Sequence, residues 1–225
     1  MELLNEDLQR ELIAQPESGM GYQNVAIKLR NGETRYGTAF NAEFLLYSGE
    51  SPHLLEKISE PSEWLLMLQE NQLGFGKEIR SLKVLRSEAD VSTRVRESSS
   101  STQIPSGSAS DAPVEALHEE ENFKRFSAYA NDRRVTANGG LVPGTYATTE
   151  EDAKHVKTGR DAVKRYALPN PAPAVHIFTI DPPLGTSLQR GVAQPAYGQP
   201  GGGVEVIFVN GSPDNTVTGP AQIPP

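Results

Sequence analysis

The sequence has no cysteine, a single tryptophan and three methionines, and aromatic residues make up only 7% of it. Without cysteine there can be no disulfides, thiolate zinc sites or thiol catalysis, and either redox compartment is tolerated. No apolar run approaches the ~18 residues that a membrane span requires. Positive charge is short as well: 21 Lys and Arg against 29 Asp and Glu give a formal net charge of −8. Such a surface repels a phosphate backbone, so nucleic acid is not an expected partner. The first residues, MELLNEDLQRELIAQ, have neither the basic start nor the apolar stretch of a signal peptide. The expectation is a soluble chain with no membrane span and no metal site, cytoplasmic or exported by a route without a cleavable signal.

Glycine and proline are plentiful, at 20 and 17 residues of 225. That abundance predicts many turns and short strands, and the length suits one large domain or two small ones. The sharpest boundary is Glu97–Ala112, ESSSSTQIPSGSASDA, with Ile104 its one large apolar residue. A segment of this composition cannot bury enough surface to offset its ordering entropy. The expected organisation is a small α+β module over residues 1–88, a disordered Ser-rich linker over 89–116 and a mostly-β domain over 117–225.

In the first module, Leu3, Leu4, Leu8, Leu12 and Ile13 form a helical stripe that Pro16 ends. Val25, Ile27 and Leu29 then alternate as a strand, and Asn31-Gly32 predicts a two-residue type I′ hairpin turn. A short helix is expected at Ser62–Leu68, a surface turn at His53 and a closing strand over 78–85. No catalytic grouping stands out there. Beyond the linker, PVEALHEEENFKRFSAYAND reads as partly helical, with His118 on a solvated face.

Four segments of the second module carry candidate chemistry. Arg133 and Arg134 follow Asp132 and precede Asn138-Gly139-Gly140; paired guanidinium groups beside such a turn suit a diphosphate, and a solvated basic pair is the plainer reading. In Tyr146-Ala147-Thr148-Thr149, Thr149 and Asp152 have the spacing of a helix cap, and the hydroxyls ahead of a helix start can line a cleft. His176, Phe178 and Ile180 share one face of a strand, where His176 is either a bonded core residue or a pocket residue. Finally, Gly198-Gln199-Pro200-Gly201-Gly202-Gly203 runs into a strand with Val204, Val206 and Phe208 on one face and Glu205, Ile207 and Val209 on the other. Three glycines in a row permit close approach of a ligand or of another backbone. The Lys-Ser/Thr of a phosphate loop and the GxGxxG dinucleotide pattern are both absent.

In this order the segments resemble the tuberculosis necrotizing toxin family of NAD+ glycohydrolases. The elements are Asp132-Arg133, Asn138-Gly139-Gly140, Arg165-Tyr166-Ala167-Leu168-Pro169, Pro173, His176-Ile177-Phe178-Thr179-Ile180 and Gly198-Gln199-Pro200-Gly201-Gly202, spanning roughly residues 123–210. The resemblance implies an ADP-ribosyltransferase-like domain acting as a toxin or effector that hydrolyses NAD+ to nicotinamide and ADP-ribose. No cofactor is implied beyond NAD+ as substrate, and an inhibitor (immunity) protein is an implied partner. Catalytic positions carried over are Gln199, His176 and Arg133; substrate-binding positions are Arg134, Tyr146, Thr148, Gly198, Gly201 and Glu205. Tyr146–Thr149 and Glu205 also resemble segments of arginine-directed ADP-ribosyltransferases, which would make Arg125, Thr148 and Glu205 the residues of a protein-modifying alternative. A non-catalytic binding or delivery module is the remaining alternative.

Overall fold

A computed structural model describes residues 2–49, 79–85, 107–169 and 172–225. The chain is mostly β, with two sheets, one of them a half-barrel. The expected short helix at Ser62–Leu68 and the His53 turn lie outside the described residues, as does 89–106 of the expected linker.

The first sheet is antiparallel, in the order β1 (Glu2–Leu3), β4 (Phe44–Gly49), β3 (Thr34–Phe40), β2 (Tyr22–Leu29), β5 (Ile79–Val84). Helix α1 (Glu6–Ile13) starts where Asn5 accepts a hydrogen bond from Leu8 N, with Glu6 and Asp7 suiting its dipole. It lays Leu8 and Leu12 on Val25, Ile27 and Leu82. Its last carbonyls need donors, and the buried Gln23 supplies one, donating to Leu12 O at 2.8 Å and also to Gln15 O just beyond the helix at 3.1 Å. The β2–β3 hairpin forms where expected, but its turn differs. Only Gly32 has positive φ, and Gly32 N bonds Leu29 O while Leu29 N bonds Glu33 O. This is a type I turn closed by a glycine bulge; Asn31 uses its side chain to accept from Glu33 N instead.

The second sheet has seven antiparallel strands in the order β12 (Val217–Gln222), β9 (His176–Ile180), β7 (Phe123–Ser127), β8 (Thr145–Thr149), β11 (Val204–Phe208), β10 (Ser187–Val192), β6 (Glu115–Ala116). Helices α2 (Glu150–Ala153) and α3 (Gly159–Arg165) follow β8. Thr149 caps α2 by accepting from Asp152 N, as its spacing predicts, and Thr158 with Asp161 forms a reciprocal capping box on α3. The partly helical reading of 113–132 is overturned. That stretch holds β6 and β7, because Phe123 and Phe126 each enter a core from a central strand. Sheet pairing there outweighs local helix propensity. Residues 107–116, the end of the expected linker, pack on β10: Ala109 is fully buried and Gly107 O accepts from Val192 N.

The strands β7 and β8 pair only at Phe123↔Thr149 and Lys124↔Thr148. Beyond that point they part, and the first module enters the gap. Phe126 N donates to Met20 Sδ at 3.3 Å, and Met20 shares a core with Phe126, Tyr146, Tyr166 and Ile207. The two modules therefore share buried apolar surface.

Candidate functional site

The arginines come first, because the sequence assigns them to a diphosphate. Arg134 is 2% exposed, and its guanidinium donates to Ile13 O, Gln15 O, Pro143 O and Thr145 Oγ1. Burial lowers its pKa. Arg133 is one-third exposed and reaches Glu43 at 3.2 Å, while its backbone N donates to Asn41 Oδ1; its Nε is buried without a hydrogen-bond partner. Both arginines join the C-terminal domain to the first module.

Arg125 on β7 is 1% exposed. It holds Asp132 at 3.0 and 3.2 Å and Glu17 at 2.8 and 2.9 Å, and donates to Tyr146 O. Glu17, from the first module, also accepts from Tyr146 N and Gly21 N. Its carboxylate thus fills the opening between β7 and β8 as a bound anion would. Burial disfavours the Arg125 charge, but Asp132 and Glu17 outweigh it and hold its pKa above the ordinary value.

The glycine run is explained by backbone packing. Gly201 N donates to Lys164 O and Gly203 N to Arg165 O, satisfying the last carbonyls of α3. A Cβ on Gly203 would lie 2.6 Å from the Tyr166 ring, and one on Gly201 would fall on Ala193 O. Of the two possibilities the sequence left open, the close neighbour is another backbone. Arg165 lies against the same run, gripping Asp152 together with Tyr166 Oη and Thr148 Oγ1. Burial works to raise the Asp152 pKa, but the Arg165 contact prevails and lowers it. Thr148 is fully buried in that cluster.

Ahead of the glycines, Ala196 and Gln199 exchange backbone hydrogen bonds, with Tyr197 at φ 54° and Gly198 at φ 70°. Positive φ at both central positions makes this a type I′ turn. A tyrosine is costly there, by roughly 1–3 kcal/mol. The first module holds it: Tyr197 is 1% exposed, packs with Phe40 and Leu46, meets Tyr22 edge-on at 5.5 Å and accepts a hydrogen bond from Asn24 Nδ2. Gln199 itself is half-buried. His176 is also half-buried, at the start of β9 opposite Ser127 and Gln222, and its Nδ1 is buried without a hydrogen-bond partner.

A cavity of about 900 Å³ lies between the modules, at the upper end of the ~300–1,000 Å³ usual for ligand pockets. The first module contributes Pro16, Ser18, Tyr22 and Asn24 to its walls, and the C-terminal domain Tyr146, Tyr166, Tyr197, Glu205 and Ile207. Of the residues expected at a site, it brings together Tyr146 and Glu205. Arg133, Arg134, Thr148, His176, Gly198, Gln199 and Gly201 are not in its walls. The sequence reading missed Tyr22 and Asn24, which lie more than a hundred positions away, Tyr166, which sits within the Arg165–Pro169 element, and Tyr197, which directly precedes the glycine-rich segment. Among the described residues, the walls include the acids Glu17, Asp111 and Glu205 and no lysine, arginine or histidine. Burial raises the Glu205 pKa to about 7, against smaller opposing effects of Ala109 N and the Ser108 hydroxyl. Burial likewise raises Tyr22 and Tyr146 well above an ordinary phenol, with Glu205 adding to both.

Among the described residues no three His, Asp or Glu side chains are grouped to hold a metal ion, and no helix is long and apolar enough to cross a membrane. Comparison with known proteins gave no match to a family model, to a curated protein or to a solved structure.

Proposed function

We propose that the chain cleaves the nicotinamide–ribose bond of NAD+, releasing nicotinamide and ADP-ribose, and that the reaction takes place in the cavity between the modules. The single observation that carries this reading is Glu205: a carboxyl group on a strand that faces an aromatic-walled cavity and titrates near neutrality. The family resemblance and an antiparallel sheet that opens between β7 and β8 support an ADP-ribosyltransferase-like domain.

The nicotinamide of NAD+ is already a cationic leaving group and needs no general acid. The C1′–N bond breaks with its electron pair passing to the ring nitrogen, and neutral nicotinamide departs. The ribosyl oxocarbenium that remains is stabilised by an anionic group fixed beside it in a water-poor site; ionised Glu205 has that role. A water attacks C1′ and its proton passes to Glu205 or to solvent, giving ADP-ribose. Tyrosine rings attract a cation over their faces, so the cavity suits the nicotinamide-riboside end of the substrate. Among the described wall residues there is no lysine or arginine for the diphosphate, which would lie towards the mouth.

Protein ADP-ribosylation is the second reading, and Glu205 favours it equally, since a carboxylate there would also orient an acceptor. Its other residues support it less: Arg125 and Thr148 are buried in internal contacts. A toxin role, with an inhibitor protein as partner, belongs to the same proposal. The test is to incubate the whole chain with NAD+ and follow free ADP-ribose and label attached to protein. Free ADP-ribose over many turnovers supports hydrolysis, with Glu205→Gln lowering kcat/KM by about 10²–10³. Protein-bound label supports transfer. No NAD+ loss from folded chain, with or without acceptor proteins, rejects both and leaves a non-catalytic binding module.

A further inference from the structure

The first module does more than dock beside the cavity, because it builds one of its walls. Tyr22 is the first residue of β2 and lines the cavity together with Tyr146 and Glu205. The Tyr22 ring is fixed from two sides. Tyr197 meets it edge-on at 5.5 Å. Beneath it lies Gly19, where a Cβ would come within 2.6 Å of Tyr22 Cζ. Gly19 is not in the left-handed region, so the requirement at that position is space for the ring and not backbone freedom.

We infer that Tyr22 is a ligand-contacting, specificity-determining residue, and that the site it completes with Tyr146 and Glu205 takes a flat organic cation of the pyridinium class. Four tyrosines line the cavity, and among the described wall residues no basic side chain opposes its acids. Glu17 is already neutralised by Arg125, which leaves Glu205 as the inner carboxyl facing an occupant. A ring that carries positive charge satisfies both features: aromatic faces attract it, and a nearby carboxylate neutralises it. A neutral ring of the same size satisfies only the first. The inference rests on placing NAD+ in this cavity, and it adds that recognition belongs to the two modules jointly.

The test uses the whole chain and two probes, the 1-methylnicotinamide cation and neutral nicotinamide, titrated by calorimetry at pH 8, where Glu205 is ionised. The wild type should bind the cation more tightly. Tyr22→Leu should weaken that binding about five- to tenfold, and Tyr22→Phe, which keeps the ring, by no more than about twofold. Gly19→Ala leaves Tyr22 in place chemically but displaces its ring, and should weaken binding in the same direction as Tyr22→Leu. Ring-labelled tyrosine spectra give a readout that needs no folded Leu variant: the signal missing from Tyr22→Phe must be one that the cation shifts in the wild type. Wild-type affinity in both Tyr22→Leu and Gly19→Ala, an unshifted Tyr22 signal, or no binding of the cation overturns the inference. NAD+ turnover separates the two proposals. Cleavage with an unchanged KM in Tyr22→Leu leaves the enzyme reading and removes this one. Tyr22-dependent binding of the cation without cleavage does the reverse.

Discussion

Glu17→Gln is the most informative single change in the chain. Four donors converge on that carboxylate: two Arg125 nitrogens at 2.8 and 2.9 Å, Tyr146 N at 2.8 Å and Gly21 N at 2.9 Å. Both charged partners are about 98–99% buried. Glutamine has nearly the same shape, but one of its two oxygens is replaced by an amide NH2. That NH2 is itself a donor facing donors, so at least one buried N–H is left without an acceptor, and Arg125 keeps only Asp132 as counter-charge. Removing one partner of a buried ion pair typically costs about 3–5 kcal/mol. Set against a total stability of roughly 5–15 kcal/mol, this is a large fraction. Urea unfolding of the whole chain should show it. With m near ~2 kcal/mol/M, the midpoint should fall by about 1.5–2.5 M. Replacing all three members of the buried cluster, Glu17→Leu, Arg125→Met and Asp132→Asn, should recover part of the loss, because none of its charges is then left buried. A loss below about 1 kcal/mol for Glu17→Gln would refute the claim that this pair joins the two modules.

Two further outcomes follow from the geometry. The raised Glu205 pKa of about 7, against 4.5 for an ordinary Glu, means that the folded state favours the protonated form. Its contribution to stability is full below about pH 4.5 and is lost as pH rises through about 7. Glu205→Gln should therefore raise the Tm at pH 8 and leave it nearly unchanged at pH 4.5, while wild-type kcat/KM for NAD+ cleavage should rise through about pH 7; a Tm gain independent of pH would contradict the buried carboxyl. In the glycine run, Gly202→Ala meets nothing within 4 Å and bears only its φ of 91°, about 1–2 kcal/mol. Gly201→Ala carries a similar penalty plus a collision with Ala193 O, so thermal melts should show a clearly larger loss at 201 than at 202.

Much of the local structure was legible in the residues themselves. The Leu8/Leu12 stripe, the Val25–Leu29 alternation, the Thr149 cap and the two faces of the Glu205 strand all depend on contacts within a few positions, which periodicity and capping chemistry record directly. Asn31-Gly32 marked a turn but not its type, because both two- and three-residue hairpin loops use a glycine at positive φ. The reading of 113–132 failed because β7 lies mid-sheet, where pairing with β9 decides its conformation and local preference does not.

The site itself depended on tertiary structure. The amino-acid order alone determined that Glu205 and Ile207 share a strand face, and that a glycine-rich turn leads into it. It could not show that Arg133 and Arg134 would be used to join the modules, that Gly201 and Gly203 would serve carbonyls of a helix, or that Tyr22 would share a cavity with Glu205. Those outcomes are set by which surfaces meet across more than a hundred intervening residues. The energy that selects them, chiefly burial of Met20 and Tyr197, exists only once the two sheets have come together.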